Sequence, residues 1–108
     1  MSVIVEFSIF PLDKGVSVSK EVSQVIEMID RSGVEYQLTA MGTLIETSNL
    51  ADALAIIEKA TQIIHDTGCQ RVYASVKIDS RPARKQGLQG KIKSIQKHIG
   101  DSINLATK

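Results

Sequence analysis

The chain is poor in cysteine, proline and aromatic residues. Its 108 residues include one cysteine, two prolines, no tryptophan and only 4% aromatic residues. A single cysteine excludes a disulfide within the chain and fits a reducing compartment. No apolar run approaches the roughly 20 residues of a membrane span. The first residues show neither a basic region nor a small-residue cleavage site, so we expect no signal peptide and a cytoplasmic location.

Patterns typical of catalytic or metal sites are also missing. His65 and His98 are the only histidines, and neither has a partner at metal-ligand spacing. Cys69 has no basic partner at catalytic spacing, so we interpret it as a small buried apolar residue. The sequence contains no glycine-rich phosphate loop and no serine-triad signature. We therefore expect no enzyme activity, no metal and no cofactor.

Basic residues are concentrated near the end of the chain, although the formal net charge is only +1. The segment 81–97 contains six basic residues and no acidic one, while the rest of the chain has seven basic against twelve acidic residues. This segment either faces an anionic partner or is a solvated helix face and loop. RNA-binding modules stack bases on several aromatic side chains, and few are present here, so nucleic acid binding is the weaker alternative.

Hydrophobic periodicity predicts the order β-α-β-β-α-β within one domain, residues 1–108. The strands are predicted at residues 3–10, 35–39, 43–47 and 71–79. The first predicted helix carries an apolar stripe at helical spacing, formed by Val18, Val22, Val25, Ile26 and Ile29. The stripe of the second consists of Leu50, Leu54, Ile57 and Ile64, widened by Ala53, Ile56 and Ile63.

Capping and turn residues predict where these elements begin and end. Ser17 or Ser19 is expected to cap the first helix, and Asn49 the second. Gly33 and Gly68 are expected to end them in the left-handed conformation.

Two further features complete the predicted outline of the chain. Gly42 is the expected bend of a tight hairpin between the second and third strands. A C-terminal amphipathic helix is predicted at residues 87–100, with its apolar side formed by Leu88, Ile92, Ile95 and Ile99.

This order predicts an α+β, ferredoxin-like fold, and a faint internal repeat of 35 residues supports it. We expect a four-stranded antiparallel sheet with two helices on one face, the first and third strands in its centre, and the extra C-terminal helix. The other sheet face would be left open. A second copy of the chain, or the extra helix, is expected to cover it.

Acidic residues on this open face leave several interpretations. Glu46 on a central strand is costly to bury unless a ligand, a basic side chain or water satisfies it. Glu6, Glu46 and Asp79 would form a general acid–base set only if they converged. Lys77 on the same face favours ion pairing or binding instead.

Four segments of the chain carry a family resemblance. They are Ser8-Ile-Phe-Pro-Leu12, Tyr36-Gln-Leu-Thr-Ala-Met-Gly-Thr-Leu-Ile-Glu46, Lys77-Ile-Asp-Ser-Arg81 and Gly90-Lys-Ile-Lys-Ser-Ile95. In order and spacing they resemble a family of small ferredoxin-like proteins described as thiamine-binding. The resemblance implies dimers formed through the sheets, homotetramers built from such dimers, and no catalytic activity.

The resemblance also implies a ligand with an aminopyrimidine and a cationic thiazolium, namely thiamine or its hydroxymethylpyrimidine moiety. Carboxylates, hydroxyl groups, a basic side chain and aromatic rings would recognise it. The predicted ligand-binding residues are Ser8, Phe10, Tyr36, Thr43, Glu46, Ser75 and Lys77.

Two other functions remain open for this sequence. The protein would instead be a structural or regulatory oligomer that binds a protein partner, or a weak RNA-binding module. Under the first alternative, Glu46 and Glu6 would pair with Lys77 or Arg81 across the sheet or across a dimer interface.

Overall fold

The computed structural model describes residues 1–16, 18–83 and 87–99, with only the backbone described at positions 91 and 99. Ser17 as a predicted cap, and residue 100 of the predicted last helix, lie outside this range. The elements are β1 (Ser2–Pro11), α1 (Ser19–Ser32), β2 (Glu35–Thr39), β3 (Gly42–Thr47), α2 (Leu50–Asp66), β4 (Val72–Arg81) and α3 (Gly87–Ile99).

The four strands form one antiparallel sheet in the order β2-β3-β1-β4. β1 and β3 occupy the centre, and α1 and α2 pack on one face, so the ferredoxin-like α+β prediction is confirmed. β1 pairs with β4 over its whole length and with β3 over half of it. Apolar side chains at almost every position of β1 match its central place, because both of its faces are covered over much of its length.

The hydrophobic core lies between the sheet and the two helices. Val5 and Phe7 of β1, together with Ile45 of β3, point toward α1 and α2 and are almost completely buried. Ile29 of α1 and Ile64 of α2 pack against them. The alternation of strand residues therefore assigns the odd-numbered side chains of β1 and β3 to the helix face.

The helix ends agree with the predicted glycines, but only one predicted cap is confirmed. Gly33 and Gly68 both adopt positive φ, at 80° and 93°. Asn49 accepts a hydrogen bond from the Asp52 N–H at 2.8 Å and caps α2. Ser19 is wrong as a cap, because it is the first helical residue and Val18 precedes it without a side-chain bond.

The apolar stripe predicted for α2 is only partly correct. Ala53, Ala60 and Ile64 face the core, whereas Leu50 and Leu54 are exposed. The periodicity therefore identified the helix and most of its buried face, because Ile56, Ile57 and Ile63 also pack against the core.

The hairpin bend at Gly42 is also wrong. The turn lies at residues 40–41, and Gly42 is the first residue of β3, paired with Thr39. Thr39 closes the turn, because its Oγ1 accepts from the Gly42 N–H at 3.1 Å and donates to the Gly42 carbonyl at 2.8 Å. Glycine is needed here for space, since a Cβ at this position would lie 3.0 Å from the Phe7 carbonyl oxygen.

A substitution pair tests this close approach. Gly42→Ala should lower the free energy of unfolding by about 1–3 kcal/mol, because the hydrogen-bonded β1 backbone cannot move away. Gly90→Ala is the control: nothing lies within 4 Å of its added Cβ, and it replaces a helical glycine. This control should be neutral or stabilising by up to about 1 kcal/mol. Urea denaturation of both variants measures the difference, and equal stabilities would contradict the explanation.

Candidate ligand cavity on the open sheet face

The strand register defines the sheet face that α1 and α2 leave open. One row of side chains crosses all four strands on this face, and it consists of Gln37, Leu44, Glu6 and Lys77. The neighbouring row consists of Glu35, Glu46, Ile4 and Asp79. Side chains two residues apart on a strand share a face, so the two rows form one continuous floor.

A cavity of about 300 Å³ lies on this floor, between the sheet and α3. Its lining residues are Ile4, Glu6, Gln37, Leu44, Lys77, Ile78, Asp79, Leu88 and Ile92. The last two come from α3 and form the outer wall. Mainly apolar walls with a few polar groups are typical of small-molecule sites.

Gln37 is the most informative residue of the cavity. It is only 6% exposed, although it is polar and lies on the open face. Among the residues that the structure describes, none forms a hydrogen bond with its side-chain amide, and its nitrogen and oxygen are not sealed from solvent. A buried amide without a partner is unfavourable unless a bound molecule or water satisfies it. Gln37 thus presents one acceptor and two donors to the cavity.

Gln37 was not among the predicted site residues. Strand alternation placed it on the open face, next to Leu44, but did not indicate that anything would bury it. The burial of Gln37 becomes apparent only when α3 packs over this part of the sheet.

The charged groups of the cavity lie at its rim. Glu6 and Lys77 are register partners, and their side chains form an ion pair with Nζ and Oε1 3.8 Å apart. Both are substantially exposed, so the pair adds about 0–1 kcal/mol to stability. The expected pairing of Glu6 with Lys77 is present, and Lys77 is the one predicted ligand residue that lines the cavity.

Glu46 has a different environment from the one expected. Its carboxylate accepts hydrogen bonds from the Ser2 hydroxyl, from the Gly87 N–H at 2.7 Å and from the Leu88 N–H at 3.1 Å. Gly87 and Leu88 are the first residues of α3. Two of these three donors are backbone N–H groups of α3, and the role of Glu46 as a ligand residue stays a prediction.

Three other predicted residues lie on the open face but outside the cavity. Ser8 and Ser75 are register partners farther along β1 and β4. Phe10 lies beyond them and contacts Tyr73, with the ring centroids 5.8 Å apart. These side chains form a second, more polar part of the same face.

The structure places the remaining two predicted residues on the helix face. Tyr36 and Thr43 have the opposite alternation from Gln37 and Leu44. The Tyr36 hydroxyl donates to Asp30 of α1 at 2.8 Å, and this bond raises the pKa of Tyr36. Thr43 is buried. A ligand on the open face does not reach these side chains, because the sheet lies between them.

Cys69 is buried at the junction of the β1–α1 loop with the start of β4. Its thiol donates to Asp13 at 2.8 Å and to the Arg71 carbonyl at 3.0 Å. Asp13 also accepts from the Gln70 N–H at 2.9 Å. Burial, followed by the bond to Asp13, raises the pKa of the Cys69 thiol, while the bonds from Cys69 and Gln70 lower the pKa of Asp13. The thiol thus acts as a small structural donor.

The described residues offer neither a metal-binding cluster nor a membrane-spanning helix. No cluster of three or more His, Cys, Asp or Glu side chains in this part of the chain could hold a metal ion. Within the same residues, no helix has the length and apolarity required to cross a membrane.

The fold and the cavity define a small ferredoxin-like protein in which α3 partly covers the open sheet face. Residues 5–96 match the model of the thiamine-binding protein family, and the chain belongs to that family. It is 36% identical over 94 residues to a UPF0045 protein of Methanocaldococcus jannaschii, covering 86% of this chain and 91% of the relative. A UPF0045 protein of Methanothermobacter thermautotrophicus is 30% identical over 95 residues, with 87% and 96% coverage.

Solved structures show the same fold. A Bacillus cereus domain of unknown function, DUF77, is similar with a TM-score of 0.75 and 33% identity, covering 85% of this chain and 88% of that one. A Thermotoga maritima protein with a proposed role in thiamine biosynthesis or salvage has a TM-score of 0.74. Its identity is 15%, with 88% and 99% coverage, so it shows the fold alone.

The buried thiol can be tested by its reactivity. Cys69 is 4% exposed, and its raised pKa keeps it in the unreactive protonated form at neutral pH. We expect no modification of the folded protein by a thiol reagent at pH 7.5 and full modification in guanidinium chloride. Reactivity should grow as the pH rises toward the elevated pKa. Asp13→Asn removes the negative charge that raises this pKa and should speed the reaction. Rapid labelling of the native protein at pH 7.5 would contradict the assignment.

Proposed function

We propose that this protein binds thiamine, or its hydroxymethylpyrimidine moiety, without catalysis, in the cavity between α3 and the open sheet face. The observation that carries the proposal is the buried amide of Gln37, which has no hydrogen-bond partner among the described residues. The nitrogen and oxygen of this amide remain accessible, so a ligand in the cavity can replace water as their hydrogen-bond partner. Membership of the thiamine-binding family supports this class of ligand.

The chemistry of the cavity matches an aminopyrimidine. The amide of Gln37 can donate to a ring nitrogen and accept from the exocyclic amino group at the same time. Ile4, Leu44 and Ile92 provide apolar surfaces for the faces of the ring. The carboxylates of Glu6 and Asp79 lie at the rim, where they can offset the positive charge of a thiazolium. A volume of about 300 Å³ is at the small end of ligand sites and fits a molecule of this size.

The positions of the carboxylates favour binding over catalysis. A general acid–base pair must converge on a common reacting atom. Glu6 instead forms an ion pair with Lys77, and Glu46 accepts hydrogen bonds from the first turn of α3. Each of these carboxylates thus has an interaction partner within the protein and does not require a substrate for compensation.

We also propose that the protein is a homo-oligomer, a dimer or a tetramer, that assembles through β4. Among the described residues, the outer edge of β4 pairs with no other strand. Its side chains Tyr73, Val76 and Ile78 are 39–52% exposed. A long apolar edge strand is prone to pair with another strand, and a second copy pairs with it symmetrically. This arrangement would extend the sheet across a two-fold axis.

Calorimetric titration tests the ligand. Thiamine, its phosphates and hydroxymethylpyrimidine are titrated into the wild-type protein, into Gln37→Met and into the control Gln24→Met on the exposed side of α1. We expect Gln37→Met to weaken binding roughly ten- to a hundredfold, because a polar group of the ligand loses its partner at a cost of about 1–3 kcal/mol. The control should bind as the wild type does. Equal affinity of both variants, or binding of single-stranded RNA in place of these ligands at physiological salt, would contradict the proposal.

Light scattering tests the assembly. The wild type should show two or four times the 11.8 kDa mass of the chain. Val76→Lys should dissociate it, because a lysine on an edge strand opposes strand pairing. Met41→Lys, at the exposed tip of the β2–β3 hairpin, is the control and should leave the mass unchanged. A wild-type monomer at all concentrations would overturn this assembly.

A further inference from the structure

The packing of α3 against the sheet is concentrated at its first residues. Gly87 and Leu88 are buried, and Ile92 is half-buried. Ile95, one turn farther along the predicted apolar side, is 52% exposed. The polar contacts at the beginning of α3 therefore add to the apolar contacts of Leu88 and Ile92 in holding the helix to the sheet.

These polar contacts converge on Glu46. The first N–H groups of a helix have no partner within the helix, and they carry the positive end of the helix dipole. The carboxylate of Glu46 accepts from two of them, with one oxygen bonded to Gly87 and the other to Leu88. A negatively charged acceptor at this end is favoured by both effects.

Neighbouring residues explain why Glu46 is directed toward α3. The buried hydroxyl of Ser2 donates to the same oxygen that accepts from Gly87. On the other side, Glu35 is the register partner of Glu46 on β2, and like charges directly opposite each other are unfavourable. The bonds to α3 place the negative charge where it is compensated.

We infer that Glu46 is a positioning residue of the ligand cavity. It fixes the first turn of α3 over the sheet, so that Leu88 and Ile92 form the outer wall against which a ligand packs. Glu46 itself lies beside the cavity and acts on affinity through α3 rather than by contact with the ligand. The inference rests on the proposed function for the ligand, whereas the hold of Glu46 on α3 is independent of it.

The experiment separates these two roles with three variants. Glu46→Gln keeps the shape of the side chain but loses the charge and one of its two acceptor oxygens. Ser2→Ala leaves the carboxylate intact and removes only the hydroxyl that orients it. Glu58→Gln is the matched control, since this exposed carboxylate lies on α2, on the other side of the sheet from α3.

Hydrogen exchange of the Gly87 and Leu88 amides, followed by NMR without ligand, is the first measurement. We expect Glu46→Gln to accelerate it roughly ten- to a hundredfold, as charge-assisted hydrogen bonds are lost. Ser2→Ala should act in the same direction but more weakly. Glu58→Gln should leave both amides as protected as in the wild type, and amides of β1 report that the fold is intact. Unchanged exchange in Glu46→Gln would overturn the inference.

Calorimetric titration with thiamine is the second measurement on the same variants. Affinity should fall in the same order as amide protection, by about tenfold in Glu46→Gln, in line with the lost hydrogen-bond energy. Loss of affinity with unchanged protection of α3 would show direct contact and overturn the positioning role. Loss of protection with unchanged affinity would overturn it as well. A wild-type protein that binds none of the ligands would instead refute the proposed function, and amide exchange would still decide whether Glu46 holds α3.

Discussion

The central position of β1 is the constraint on which the rest of the structure depends. Because β1 pairs with β3 on one side and with β4 on the other, its alternation sets the faces of all four strands. Val5 and Phe7 anchor the core under α1 and α2. The two rows of strand residues that form the floor of the candidate site then follow from the register, since side chains two, four or six residues apart on a strand share a face.

The open sheet face is the second feature that shapes this structure. A sheet face with Ile4 and Leu44 at its centre would expose apolar surface to water, and α3 covers part of it. The cover is incomplete, and a cavity remains beneath it. The amide at its floor stays accessible to water in the empty protein and is suited to the recognition of a polar ligand.

Glu46 links these two features. A carboxylate on a central strand requires compensation, and the first N–H groups of α3 supply part of it. The same bonds fix the wall of the cavity. One residue thereby contributes to stability and to the shape of the site, which explains how a residue predicted to contact a ligand can influence it from outside.

Much of the fold follows from the sequence, because periodicity, capping and turn residues act locally. The order of the elements, the left-handed stops at Gly33 and Gly68, and the cap at Asn49 all depend on neighbours within a few residues. The class of fold follows from this order, since right-handed crossovers leave few arrangements. The resemblance of four segments to the thiamine-binding family was likewise readable from the residues alone, and the match over residues 5–96 confirms it.

What only the tertiary structure decided are the contacts between elements distant in the chain. Gly42 is a glycine because of the Phe7 carbonyl, 35 positions away, and Leu50 and Leu54 of α2 stay exposed although they belong to its apolar stripe. Gln37 becomes a buried amide only when α3 packs above it, and Glu46 finds its donors more than 40 residues away. A sequence pattern reports which face a side chain occupies. The packing of the whole chain determines which group contacts that side chain.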